Sequence, residues 1–360
     1  MGSYTISEKS ILKRFQCMTK TPTRRITIRD VAAAAGASVG SVSRVLNGGP
    51  NASKDLNDRV MRAVAQLGYE PDSVAQSMRL KSTQTIACMV PDVANPIYAE
   101  YINALEEHVQ SAGYLLMLIS TRHDIAREAA AMSLIRRRRV DGLIMIGGSE
   151  SHHEITSALE SLECPVVLVD RDSPKRDTVC VDHRGGAIEA TRHLVALGHR
   201  RVALLVPGEA VKPARERTAG YRAVLEEAGI KYDPELVVPQ PASTSFAYSA
   251  ASSLLELENP PTAIITLGTH MLAGVMKAVS TKGLTVPDDL SIVSVGDTDL
   301  TQYANPSVTS LKWDVPQIGR VAGELLMARL SGKKTGQPRY QKITMPTELV
   351  IRKSGAAPRK

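Results

Sequence analysis

Two rhythms of apolar and polar positions divide this chain. Between Ile26 and Tyr69 small apolar residues recur every three or four positions, the period of one helix face, and predict helices over 28–35, 39–46 and 53–67 with breaks at Gly36 and at 47–50. Three helices of this length make a small domain. Pro71 then sets off 72–80, where Asp72 and Ser73 can cap one brief linker helix. After Ser82 the pattern changes to short runs dense in Val, Ile and Leu that alternate with amphipathic stretches, the form of βαβ units around a buried parallel sheet. The predicted strands are 85–90, 115–120, 142–146, 166–170, 179–181, 201–206, 262–266 and 291–295. The helices between them are 98–112, 125–137, 185–197, 217–228, 248–257 and 272–281. Two α/β lobes would account for the 360 residues. Residues 1–23 show no period and read as a disordered arm, and 353–360 as a frayed basic tail.

Composition adds exclusions. With 43% hydrophobic and 22% charged residues the chain is an ordinary globular one. No apolar run reaches the roughly 18 residues of a membrane span, and the first twenty residues, with Glu8, Lys9, Lys13 and Arg14, lack a secretory apolar stretch, so the expected location is cytoplasmic with no membrane partner. Cys17, Cys88, Cys164 and Cys180 have neither metal-site nor disulfide spacing, and no cofactor or metal is expected. Charge matters through its position. Of the net +7, an excess of five basic residues falls between Lys20 and Lys81, which allows a polyanionic partner for the helical domain.

That domain holds the sharpest motif, running from Thr27 to Asn47. Ala32 lets two helices approach, Gly36 permits a tight turn, and Val31, Val42, Val45 and Leu46 supply a small buried face. Ser38 is placed to cap the second helix, leaving Val39, Gly40, Ser41, Ser43 and Arg44 facing outward, where a helix laid in the major groove meets base edges. Arg44 can address guanine, while Thr27, Arg29, Ser43, Asn47 and the helix-start N–H groups suit phosphates. The competing reading is an Ala-rich helical hairpin with no nucleic-acid role; the local basic excess argues against it.

Several ordered segments make the chain resemble the lactose-repressor/purine-repressor (LacI/GalR) family of bacterial regulators. They are 27–47, Gly68-Tyr-Glu-Pro-Asp at the start of 68–79, Asn95-Pro96, 139–144, 169–171, 193–203, 217–221 and 286–293. The resemblance implies an all-α helix-turn-helix domain (24–70), a hinge helix (71–82) and an α/β two-lobed periplasmic-binding-protein-like domain for effector binding and dimerisation (83–352). One lobe would take 83–181 and 313–345, the other 182–312 and 346–352. It further implies a homodimer on a palindromic operator, with Ala75 and Met78 of the hinge in the minor groove. A Met packed on the neighbouring domain is the alternative.

Effectors of such lobes sit at the carboxyl ends of parallel strands. The positions the resemblance carries over are Asp92, Asn95, Ile97, Tyr98, Tyr101, Asp170, Arg171, Pro213, Arg217, Gly268, Gly296 and Trp313. Arg217 is expected to start a helix and grip the effector, its alternative being a salt bridge to Asp170 or Asp182. Trp313 can stack on a ligand or merely fill a crossover. Two departures stand out: glycines, Gly268 and Gly296, replace polar anchors common in sugar- and purine-binding members. With Arg171, Arg217 and His270 remaining, an anionic effector such as a sugar acid or other organic acid is the expected small molecule.

An enzyme would need a G-x-S-x-G elbow, a P-loop, a dinucleotide fingerprint or a metal-spaced His cluster, and the sequence has none. A solute-binding protein would lack the basic helical domain. A ligand-gated repressor is the expected function, with inducer and corepressor both open, and a dimer is expected because 354–360 carries no heptads.

Overall fold

The computed structural model describes residues 26–46, 52–70, 82–150, 152–208, 210–239, 243–332 and 339–359. The described residues form two compact units, divided at Lys81/Ser82.

The first unit has three helices, α1 Ile28–Ala35, α2 Val39–Leu46 and α3 Lys54–Leu67. The first two have the bounds the apolar period predicts, because both ends of the turn are fixed by chemistry. Asp30 accepts from the Thr27 backbone N–H at 2.8 Å and from its hydroxyl at 2.7 Å, closing the start of α1. Gly36 ends it at φ 59° with its own and Ala37's N–H turned back to Ala33 and Ala32, a conformation that favours glycine. Ser38 Oγ then accepts from Ser41 N at 3.1 Å and starts α2. Helix α3 begins one residue later than predicted, since Ser53 is its cap and accepts from Leu56 N. Val31, Val42 and Val60 are wholly buried between the helices, with Ala32, Ala35 and Ala63 around them.

The second unit contains two six-stranded sheets. In chain order it runs β1 Thr85–Val90, α4 Pro96–Ser111, β2 Leu115–Ser120, α5 Ile125–Arg138, β3 Gly142–Ile146, α6 His153–Glu160, β4 Val166–Val169 and β5 Asp177–Val181. Next come α7 His183–Ala196, β6 Val202–Val206, α8 Lys212–Glu227, β7 Val237–Pro239, α9 Thr244–Leu254, β8 Ala263–Leu267, α10 Gly268–Thr281, β9 Ser291–Val295, α11 Asp299–Tyr303 and β10 Thr309–Lys312. The last elements are α12 Val315–Leu330, β11 Lys342–Met345 and β12 Glu348–Val350. The first sheet has the order β11-β5-β4-β3-β1-β2 and is parallel throughout. The second, β12-β10-β9-β8-β6-β7, is parallel except for the β10–β12 pair. The chain passes between the sheets three times, after β5, between β10 and α12, and between β11 and β12.

Alternating side chains give each sheet two buried faces. In the first, Ile86, Ile144 and Val167 pack with Leu105 of α4 and Ile318 of α12, while Ala87, Leu143 and Leu168 pack with Ile135 of α5 and Ile155 of α6. This is why the uniformly apolar central strands were legible. The strands absent from the prediction, β7, β10, β11 and β12, lie at edges and crossovers and are short; β10, β11 and β12 mix polar residues into the run, and β7 is only Val-Val-Pro.

The carboxyl-terminal segment departs from the frayed tail expected there. Ser354 is wholly buried; its hydroxyl donates to Ile292 O at 2.6 Å and accepts from Thr309 N at 2.9 Å. His199 Nε2 stands 2.9 Å from Ala356 O, and Arg359 pairs with Asp289 at 2.6 Å. Small residues let the backbone lie beside β9 and take up its free hydrogen-bonding groups, Ile292 N donating to Ser354 O.

Candidate functional site

On the helical unit, burial sorts the motif as the period predicts. Val42 and Val45 point inward, Thr27, Arg29, Ser38, Val39, Gly40 and Arg44 are exposed, and Ser41 and Ser43 are half-buried. The start of α2 therefore presents small side chains and one long cation on an open face, a shape that can approach a base-pair edge closely. Asn47, Ala75 and Met78, assigned to DNA from the sequence, lie outside the described residues.

In the second unit a cavity of about 120 Å³ opens between the lobes at the carboxyl ends of the strands. Asn95, Ile97, Tyr98, Tyr101, Asp170, Pro213, Arg217, Gly268, His270 and Trp313 all line it. Three expected residues do not. Arg171 is 3% exposed and turned away, its Nη1 on Gly147 O at 3.1 Å and on Glu128 at 3.5 Å. It follows Asp170 at a strand end, where successive side chains face opposite sides, so only one of the two can enter the cleft. Asp92 is not on the wall but stands 3.4 Å from His270, which is. Gly296 lines a neighbouring groove with Ile97 and Trp313. A Cβ there would come 2.6 Å from Ile97 Cδ1, and φ is +103°, so Ile97 fills the space a polar anchor would occupy.

The polar centre is a chain of three groups. Arg217 lies in the second turn of α8, which starts at Lys212 rather than at Arg217 itself, and is 4% exposed. Its Nη2 donates to His183 Nδ1 at 3.0 Å. Guanidinium has no acceptor, so His183 carries its proton on Nε2, which stands 3.0 Å from Asp170 Oδ1 at a poor hydrogen-bond angle. The expected alternative, a direct pair of Arg217 with Asp170 or Asp182, gives way to this relay; Asp182 instead caps α7 through Gly185 N at 2.8 Å. Burial lowers the Arg217 pKa to about 10, leaving it a cation at neutral pH. Burial also lowers that of His183, outweighing Asp170, and keeps the ring neutral. For Asp170 burial acts upward, but His183, the Val181 N–H and Arg217 together hold the carboxyl below its usual range. Asp170 also sits at φ 53°, a strained conformation for a non-glycine residue.

Among the described residues that line the cavity, two further buried donors lack a partner, Tyr101 Oη and Trp313 Nε1. Trp313 also meets the His183 ring edge-on at 6.5 Å. Sequence reasoning missed His183 and the exposed His123, both of which line the cavity. The signal for His183 was present, since it follows Asp182 at the end of a predicted strand, where the strand-end rule applies equally.

The pattern of bacterial regulatory proteins of the lacI family matches residues 27–72, and a periplasmic binding protein-like domain matches 191–355. The HTH-type transcriptional regulator DegA of Bacillus subtilis is 32% identical, over 92% of this chain and 98% of its own. The HTH-type transcriptional repressor PurR of Haemophilus influenzae is also 32% identical, over 91% and 98%. The chain belongs to the LacI family. Among solved structures, the lac repressor dimer bound to operator and the anti-inducer ONPF has a TM-score of 0.80 at 25% identity, over 93% of this chain and 100% of that one. The regulator CelR in complex with cellobiose follows at 0.69 and 27%, over 92% and 100%. As a LacI-family member the chain is a DNA-binding transcription regulator with an effector-binding domain, not an enzyme. No helix among the described residues is long and apolar enough to cross a membrane.

The neutral state of His183 has a consequence for stability. Its folded pKa lies below the unfolded value, so its contribution is complete above about pH 6.5 and is lost as pH falls below that. His193 and His199 shift the same way by burial. Thermal melts between pH 7 and pH 5 should show falling stability, at up to about 1.4 kcal/mol per pH unit for each such group. His183→Gln should flatten the slope; an unchanged slope would show that His183 is not buried neutral.

Proposed function

We propose that this regulator is a repressor acting in the cytoplasm as a homodimer on a palindromic operator. In this reading α2 enters the major groove through Val39, Gly40, Ser41 and Arg44, while Thr27, Arg29, Ser38 and Ser43 hold the phosphates. The 71–82 linker, with Ala75 and Met78, is assigned to the minor groove on the family resemblance alone. The effector is a small polyhydroxylated molecule bound between the lobes.

The carrying observation for the effector is the Asp170–His183–Arg217 chain, which offers an acceptor and a donor side by side, as a hydroxyl pair requires. The unsatisfied Tyr101 and Trp313 donors call for ligand acceptors around it. Charge shifts the class expected from sequence. Arg171 is withdrawn onto Glu128, Arg217 is balanced by Asp170 through the intervening His183, and His270 faces Asp92. This balance favours an uncharged polyol over a sugar acid. CelR, structurally similar, is a cellobiose complex, in keeping with a polyol.

Titrating sugars, alditols and sugar acids into an operator fluorescence-anisotropy assay tests this. A neutral polyol should shift operator affinity by roughly 5- to 150-fold, in a direction that identifies it as inducer or corepressor. A response to acids alone would reverse the charge argument, and silence from every compound would remove the gating reading.

A further inference from the structure

Lys212 opens α8, the helix that brings Arg217 into the cleft, yet its ammonium reaches to the opposite lobe. Nζ donates to Asp172 Oδ1 at 2.7 Å and stands 3.3 Å from Cys180 Sγ. Asp172 lies between β4 and β5 and Cys180 within β5, both in the lobe of the first sheet. One turn further along α8, Arg215 pairs with Glu150 of that same lobe, whose backbone N–H donates to Ala210 O at 3.1 Å. The receiving groups are themselves tied together, Asp172 N donating to Glu150 Oε1 at 2.7 Å. The start of α8 is thus clasped by one connected patch of the other lobe.

The contacts are unequal. Arg215 has 42% of its side chain in solvent, and an exposed pair adds little. Lys212 has 8%. A buried ammonium is tolerated only while its partners stay in place, and here the partners are on the far lobe, so the contact exists only when the lobes are together.

We propose that Lys212 is a positioning residue of the effector cleft. Its hold on Asp172 and Cys180 fixes the start of α8 against the first lobe, sets the fraction of molecules with lobes closed, and so places Val211, Pro213 and Arg217 in the cavity wall. The proposal deepens the effector reading above, but its test uses no effector and stands or falls separately.

Cys180 is the reporter. It is 1% exposed and Lys212 lies against its sulfur, whereas Cys88 is wholly buried in the first sheet and reports unfolding of the lobe. The full chain is labelled with N-ethylmaleimide and each cysteine followed by peptide mass mapping. Labelling of a covered thiol proceeds through opening, so its rate follows the open fraction. Lys212→Met should speed labelling of Cys180 by roughly fivefold or more, the loss expected for a charge-assisted hydrogen bond with one partner in solvent, with Cys88 unchanged. Asp172→Asn should act in the same direction; it also frees Lys342, 3.1 Å from Asp172 Oδ1, but that residue belongs to the same lobe, so the double variant should exceed Lys212→Met by little, both changes removing the one contact between the lobes. A wild-type Cys180 rate in both single variants would overturn the proposal. So would parallel acceleration of Cys88, which would make Lys212 a general stabiliser rather than a positioning residue.

Discussion

Replacing Arg217 by methionine should abolish the effector response and lower the melting temperature of the effector-binding unit by on the order of 10 °C. Methionine keeps most of the length and removes the charge. Asp170 is then left with a neutral imidazole 3.0 Å away and no cation, its side chain only 17% exposed. Stranding one member of a buried ionic set costs about 3–5 kcal/mol, and in a unit of this size each kcal/mol moves the melting temperature by about 2–4 °C. Because the loss arises from Asp170, Arg217→Met combined with Asp170→Asn should regain most of the stability and none of the response. Calorimetry with the operator titration reads both. Retention of an effector response by Arg217→Met would remove this residue from the binding site.

The second large effect belongs to the helical unit. Gly40 is exposed in the first turn of α2, and the nearest atom to a Cβ added there is Ser38 Oγ at 3.8 Å. Nothing inside the unit demands a glycine. Gly40→Glu should therefore leave the fold intact or raise its stability by up to about 1 kcal/mol, since glycine is a poor helix former and an acid suits a helix start. Operator affinity should nevertheless drop by roughly 100-fold or more, because the new side chain occupies the approach to the base edges and carries a charge toward phosphates. Circular dichroism melts and anisotropy on one duplex separate the two effects. Undiminished binding would mean that the start of α2 does not enter the groove.

What could be read in advance follows from how locally each feature is determined. The bounds of α1 and α2 were legible because Thr27, Gly36 and Ser38 fix them through neighbours in sequence. The strands at 85–90, 115–120, 142–146 and 291–295 were legible because apolar runs bounded by turn signals mark them. The short strands β7, β10, β11 and β12 and the docked segment around Ser354 were not, the last because its partners are remote: Ser354 is held by Ile292 and Thr309. The cleft divides in the same way. Strand-end position found Asp170 and the family resemblance Arg217, but whether Arg171 faced the ligand depended on Glu128, 43 residues away. The role of His183 depended on Arg217, and no local pattern joins the two.

In the proposed function α2 reads duplex DNA as one half of a twofold pair, which can be checked by selecting bound duplexes from a random pool with the full chain at moderate salt. The expected result is enrichment of a single palindromic site, bound by two chains per duplex and lost in Gly40→Glu. Recovery of duplexes with no shared palindrome, or equal binding by wild type and Gly40→Glu, would contradict it.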